Sequence, residues 1–223
     1  AVRPGEIVGL TGQLGSGASN VVQALAGMLP PTGGQGSRGG EELGLRSRAA
    51  ALRHGIAYCS PDRKKDGIFA ERSIRENLSS PWVRLVASAG WISPLKERER
   101  ANGIAERFAI DVKRMGFAVS TLSGGNQQKV AVGKWLGVEP RVMLLEEPTR
   151  GVDIGARAEI YRRLRDLCDA GLGIIIASSD TAEVLGLSDT IATFYRGRMT
   201  GIKLHDQWTE DALVREVMHQ EAA

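Results

Sequence analysis

Three stretches carry residue types whose spacing suits the handling of phosphate. Gly12-Gln13-Leu14-Gly15-Ser16-Gly17-Ala18-Ser19 keeps the phosphate-loop pattern of glycine, four residues, glycine, lysine and serine or threonine at every fixed position but one, since Ala18 stands at the lysine position. Glycines there let backbone N–H groups converge on phosphate oxygens, and the N-terminus of a helix that opens through Ser19 and Asn20 adds a favourable field. Ser19 falls where a hydroxyl reaches Mg²⁺. Leu122-Ser123-Gly124-Gly125-Asn126-Gln127 leads into a helix, so Ser123 and the N–H groups of Gly124 and Gly125 are placed to cap a phosphate. An apolar strand, Arg141 to Leu145, follows and ends in two adjacent carboxylates, Glu146 and Glu147.

Each stretch has a plain alternative. A glycine turn joins many a strand to a helix with no ligand, Ser-Gly-Gly turns arise by chance, and a Glu pair can be a solvated strand end. The three in this order outweigh those readings. Elsewhere the plain readings stand. Arg63-Lys64-Lys65 reads as a solvated loop or a partner contact, Trp82 and Trp91 as core or partner surface, and Cys59 and Cys168 as packed thiols.

The elements that must position these residues read as alternating strands and helices. Glu6 to Leu10 is a short buried strand, and Ser19 to Met28 a helix broken by Leu29-Pro-Pro-Thr-Gly-Gly34. Glycines 33, 34, 36, 39, 40 and 44 mark a loop around a weak hairpin, and Gly55 to Cys59 is the next strand. Residues 62–121 read as a helical insertion, with a capping box at Ser73 to Glu76 and Ser93-Pro94 opening another helix. The alternation then returns. Ile154 to Ala170 is a helix with Ile160, Tyr161, Leu164, Leu167 and Cys168 on one face. Leu172 to Ala177 and Asp189 to Tyr195 are strands, and Trp208 to His219 a terminal helix. This order predicts an α/β fold with a largely parallel, covered sheet.

Composition narrows the class. The 223 residues are 42% hydrophobic and 25% charged, which is ordinary for a globular chain and excludes collagen-like, coiled-coil and disulfide-scaffold classes. A net charge of +3 is too mild to argue for nucleic acid or an anionic membrane. Two isolated cysteines favour a reducing compartment. No run approaches ~18 consecutive apolar residues, so no spanning helix is expected, and the opening residues do not read as a signal peptide. The absence of an initiator Met reads as a chain processed or cut from something longer.

The motifs together resemble the ATP-binding cassettes of ABC transporters. Leu122-Ser-Gly-Gly-Asn-Gln-Gln128 is similar to the LSGGQ signature, and Leu144-Leu-Glu-Glu-Pro-Thr-Arg-Gly-Val-Asp153 to the Walker B strand, catalytic glutamate and D-loop in series. The resemblance covers nearly the whole chain. It is greatest to the second ATP-binding half of sugar importers of the ribose, xylose and galactose type, through Asp62 to Gly67, Leu122 to Lys129, Glu147 to Asp153 and Glu183 to Asp189. It implies a P-loop NTPase fold, with an ABC-type core (1–61 and 122–223), a helical subdomain (62–121), and first strands, bearing the aromatic that stacks on adenine, that lie outside this chain.

The resemblance further implies a set of roles. ATP phosphates would lie on Gly12 to Asn20, Mg²⁺ on Ser19 and Glu146, and the general base would be Glu147, with Asp153 in the D-loop and Ser179 at the switch position. Departures from the family pattern bear on mechanism. Ala18 replaces the phosphate-binding lysine, and Pro61 stands at the Q-loop position. Ser179 replaces the switch histidine, with His54, His205 and His219 all elsewhere. Glu146 replaces the metal aspartate, moving the carboxylate outward by roughly 1.5 Å, which matters for octahedral Mg²⁺ unless a water intervenes. Phosphoryl transfer depends on positioning and charge stabilisation, so this half's own site is expected to be degenerate while its signature completes the site of a second ATPase half, in the same polypeptide or a dimer. A side chain at Gly125 would then stand between the backbone and that phosphate. Membrane permease subunits, a periplasmic or extracellular sugar-binding protein and a place on the cytoplasmic face of the inner membrane are implied as well, with no nucleic acid. The rivals are a soluble ABC protein acting on nucleic acid or ribosomes, and a non-hydrolysing pseudo-ATPase that serves as a spacer.

Overall fold

The computed structural model describes residues 1–38, 40–88 and 90–218, so Gly39 of the glycine-rich loop and His219 at the end of the expected terminal helix lie outside the described residues. The chain folds as two compact units. One comprises Ala1–Tyr58, Pro140–Glu147 and the chain from Arg165 onward, and the other Cys59–Glu139 and Pro148–Leu164.

The first unit is built on a sheet of six strands. They are β1 (Ile7–Gly12), β4 (Ile56–Cys59), β7 (Val142–Glu146), β8 (Gly173–Ser178), β9 (Thr190–Tyr195) and β10 (Arg198–Leu204), in the order β10-β9-β1-β8-β7-β4. β1 runs parallel to both β8 and β9, and β7 parallel to β8, while β10 is antiparallel to β9. This is the mostly parallel α/β sheet that the alternation predicts. Every residue of β1 is buried, as a strand covered on both faces requires. Helix α1 (Ala18–Leu25) and β1 share a core of Val8, Leu10, Ala18, Val22, Ala26, Tyr58, Leu144, Ala177 and Phe194. A second cluster, Val184, Ile191, Trp208, Leu213 and Val217, joins α7 (Thr181–Leu187) and α8 (Glu210–Met218) to β9. A hairpin of β2 (Ser37–Arg38) and β3 (Glu41–Glu42) lies within the glycine-rich stretch, followed by α2 (Arg48–Arg53), whose N-terminus is capped by Ser47.

Strand β10 was not expected. Its side chains are almost all exposed, so it lacks the apolar run that marks a buried strand. Its signal is the two-residue turn before it, Arg196-Gly197, where both residues take positive φ (47° and 80°), the geometry of a type I′ hairpin turn.

The second unit is mainly helical. It holds α3 (Ile74–Ser79), a hairpin of β5 (Ala87–Ser88) and β6 (Trp91–Ile92), α4 (Pro94–Arg107), α5 (Gly124–Gly133) and, up to Leu164, α6 (Ile154–Asp169). The capping box forms as read: Ser73 Oγ accepts from the Glu76 N–H and the Glu76 carboxylate accepts from the Ser73 N–H. Ser93 is the N-cap of α4 with Pro94 next, yet its side chain makes no capping bond. Trp82 is core, with Ile74, Leu78, Ile104 and Phe108, whereas Trp91 is 83% exposed. The stripe of α6 is buried at Ile160, Leu164 and Cys168. Both cysteines are free and buried, and burial pushes the Cys59 thiol up to about 11 against the opposing pull of Lys134.

Candidate nucleotide site

Parallel strands bring their C-terminal ends to one edge, where ligands of such sheets bind. Thr11 of β1 lies beside Ser178 of β8, and Glu146 of β7 beside Ala177. The turns leaving these strands therefore meet, and one small cavity of about 70 Å³ is lined by Gly12 to Asn20, Glu147, Ser178 and Ser179. That volume suits a phosphate group rather than a whole nucleoside, since drug-sized pockets run from about 300 Å³.

The loop holds its shape through glycines. Gly17 has φ +104°, and a methyl group added there would lie 3.0 Å from Cα of Gly197. The Gly197 N–H donates to the Ser16 carbonyl at 2.7 Å. The β9–β10 turn thus braces the phosphate loop, a support for which the sequence offered only the Arg196-Gly197 pair. Ala18, at the lysine position, is buried in the core shared with β1.

The two carboxylates part company. Glu147 turns out of β7 with φ +48°, an unfavourable backbone region for a non-glycine residue, costing of order 1–3 kcal/mol. Its Oε1 accepts from the Ser179 N–H at 2.8 Å and its Oε2 from Ser178 Oγ at 3.4 Å. At the switch position it is therefore the backbone of Ser179, not its side chain, that touches the base position. Glu146 is buried and is not on the cavity wall. Both its oxygens accept from Gln23 Nε2 of α1 at 3.1 Å, and Oε2 also accepts from the Tyr58 hydroxyl at 2.6 Å. Neither Gln23 nor Tyr58 was singled out from the sequence, because nothing in spacing links positions 23, 58 and 146.

The donor set decides which groups fit. Converging backbone N–H groups and the start of α1 suit nucleotide phosphates. A Mg²⁺ ion shared by Ser19 and Glu146 does not fit, since Ser19 lines the cavity while Glu146 is buried off its wall, hydrogen-bonded to Gln23 and Tyr58. Among the described residues no cluster of three or more His, Cys, Asp or Glu side chains forms a metal site.

In the second unit, the turn at Leu122 to Gln127 opens α5. Ser123 is the exposed N-cap, and its hydroxyl makes no capping bond but accepts from Asn126 Nδ2 at 3.2 Å. The Gln127 amide donates to the Leu122 carbonyl at 3.1 Å. Gly124 packs under Arg63, whose guanidinium donates to the carbonyls of Arg150 and Gly151. Arg63 itself sits in a tight turn, Asp62 to Gly67, in which the Asp62 carboxylate caps the N–H groups of Lys64 and Lys65. Asp153 caps α6, its Oδ1 accepting from the Ala156 N–H at 2.9 Å. A methyl group on Gly125 would lie 2.3 Å from Cβ of Ala156, so this glycine is required by packing against α6 and its missing side chain would not have faced a ligand.

Residues 1–150 match the ABC transporter family. The chain is 42% identical over 215 residues to "Ribose import ATP-binding protein RbsA 2" of Rhizobium etli, covering 96% of this chain and 42% of that protein. It is 39% identical to "Ribose import ATP-binding protein RbsA" of Geobacillus kaustophilus, covering 96% of this chain and 44% of that protein. It thus spans less than half the length of these curated relatives. Among solved structures it superimposes on cbiO1 of Clostridium perfringens, part of the ABC transporter complex cbiONQ, with TM-score 0.79 and 25% identity over 98% of this chain and 85% of that one. A nucleotide-free ATP-binding cassette from an ABC transporter gives TM-score 0.80 at 20% identity over 99% and 87% of the two chains, a likeness of fold. Among the described residues no helix is long and apolar enough to cross a membrane. The motif order, the mostly parallel sheet and these matches agree: the chain belongs to the ABC transporter family.

Proposed function

We propose that this chain is an ATP-binding half of a sugar-import ABC transporter that contributes its signature turn, rather than its own phosphate loop, to ATP hydrolysis. One contrast carries the reading. The loop lacks its lysine at Ala18 and its metal carboxylate is withdrawn into the core, while Ser123 stands exposed and uncapped at the start of α5. Helix N-termini favour phosphate through their free N–H groups and dipole. The ligand there is the terminal phosphate of an ATP held by a second ATPase half. The relatives' greater length supports such a half in the same polypeptide, and their printed role in ribose import supports a sugar as cargo. Permease subunits would hold the chain at the cytoplasmic face of the membrane, with a sugar-binding protein on the far side.

Within this chain's own cavity the residues bind rather than turn over. The loop N–H groups hold phosphate, and Glu147, fixed by Ser178 and Ser179, is placed to take a proton from water. Without the lysine and switch histidine, charge developing on the phosphate is left unstabilised, and losing one such oriented donor costs about 10²–10³ in rate. The reading is tested in the assembled transporter by comparing ATP turnover of Ser123→Asp with that of Ser19→Ala. If Ser19→Ala proves as damaging as Ser123→Asp, this chain's own site is active and the division of labour is wrong.

A further inference from the structure

We propose that the phosphate loop of this chain takes its nucleotide as a metal-free anion, because Tyr58 and Gln23 occupy the carboxylate that would otherwise share a cation with Ser19. The proposal rests on the reading that the loop holds nucleotide, and it specifies the ionic form of that ligand.

Mg²⁺ dehydrates reluctantly and in nucleotide sites is held by one or two carboxylates together with phosphate oxygens. Two carboxylates lie near this loop, and both are held by hydrogen bonds from the protein, Glu147 on the cavity wall and Glu146 off it. Glu147 receives the Ser179 N–H and the Ser178 hydroxyl. Glu146 receives the Gln23 amide on both oxygens and the Tyr58 hydroxyl at 2.6 Å, at the short end of O–H···O distances. The extra carbon of a glutamate over an aspartate extends its reach by roughly 1.5 Å, and here that reach ends on a core tyrosine. Turning Glu146 toward a cation would break its short hydrogen bond from the Tyr58 hydroxyl in a buried setting, where breaking such a bond is costly. The remaining polar groups on the cavity wall are backbone N–H groups, hydroxyls and amides, which suit a phosphate anion and give a bare cation no charged ligand.

The network therefore takes over the structural part that a cation plays elsewhere. It fixes α1 to the strand ends through Gln23, so the loop is shaped before any ligand arrives. With neither lysine nor cation to neutralise a terminal phosphate, ADP and ATP should bind alike.

Calorimetric titration of the 223-residue chain with ADP, in excess Mg²⁺ and in excess EDTA, tests this. The expected result is equal affinity within about threefold, or tighter binding in EDTA. Binding at least about tenfold tighter in Mg²⁺ overturns the proposal and leaves the loop's nucleotide-binding role intact. No binding in either buffer overturns both. Gly15→Asp, which puts a carboxylate in the loop, should abolish binding; if binding persists, the nucleotide lies elsewhere and the proposal fails. The double variant Glu146→Asp with Tyr58→Phe, once circular dichroism verifies its fold, should gain a preference for Mg²⁺ of about tenfold. Continued indifference to Mg²⁺ in that folded variant also counts against the proposal.

Discussion

The phosphate loop and the signature turn present opposite faces to solvent: one has its side chains drawn inward, the other has a serine left exposed. At the loop the glycine scaffold is braced while two side chains turn inward: Gly17 packs on Gly197, Ala18 is core and Glu146 is bonded to Tyr58. At the signature turn Ser123 stands exposed at a helix start, and Arg63 ties the neighbouring carbonyls of Arg150 and Gly151. The contrast teaches that a glycine pattern can be held in place by packing alone. Gly17 would be needed here whether or not a nucleotide ever bound, so a glycine-rich loop is evidence of shape and not of turnover.

The largest effect expected from this contrast is at the signature. Ser123→Asp in the assembled transporter should lower steady-state phosphate release by about 10²–10³, through like charge and a lost donor, whereas Ser19→Ala should cost less than about tenfold. Next comes restoration of the loop. Ala18→Lys should tighten ATP binding by about ten- to a hundredfold, from a charge-assisted bond of about 1.5–3 kcal/mol, with a smaller gain for AMP. Equal gains for both nucleotides in calorimetry would show that the lysine does not reach the terminal phosphates.

Packing predictions sharpen the comparison further. Gly125→Ala should destabilise by about 1–3 kcal/mol through overpacking on Ala156, seen as a lower midpoint in chemical denaturation. Gly15→Ala places a side chain at φ +81° but meets open space, so it should cost about 1 kcal/mol, the low end for a left-handed residue. If the two melt alike, packing on α6 does not explain Gly125. The smallest effect belongs to Glu147→Gln in the chain alone. Its turnover should already lie well below about 1 s⁻¹ and the substitution should change it little. A rate near that value that disappears in the variant would mean the loop is catalytic.

What the sequence disclosed, and what it hid, follows from the range of the interactions. β1, β7, β8, β9 and α6 were legible because buried runs and a 3.6-residue stripe are local patterns, and the Ser73–Glu76 box because its partners are three residues apart. β10 was hidden because an exposed edge strand has no apolar run. At the site, the glycine spacing and the paired carboxylates marked out the loop and Glu147, which the structure places around one cavity. The environment of Glu146 was not legible, since Tyr58 lies 88 positions away and Gln23 lies 123 away. The packing duty of Gly125 against Ala156 was likewise invisible, because a motif shows which residue is small and not what stands opposite it.

The place of β1 at the middle of the sheet governs the order in which the molecule can come into being. Its two neighbours are β8 and β9, from the last quarter of the chain, and the turn that braces its loop is later still, at Gly197. Strand β1 must therefore wait for strands that follow it by about 160 residues or more. Such long-range pairing pays its loop-closure entropy before any contact rewards it, which makes folding slow. During that wait six residues destined for complete burial lie without their partners, a hazard for aggregation. A chain stopped before Gly173 would keep every residue of the phosphate loop and have neither strand against which to form it.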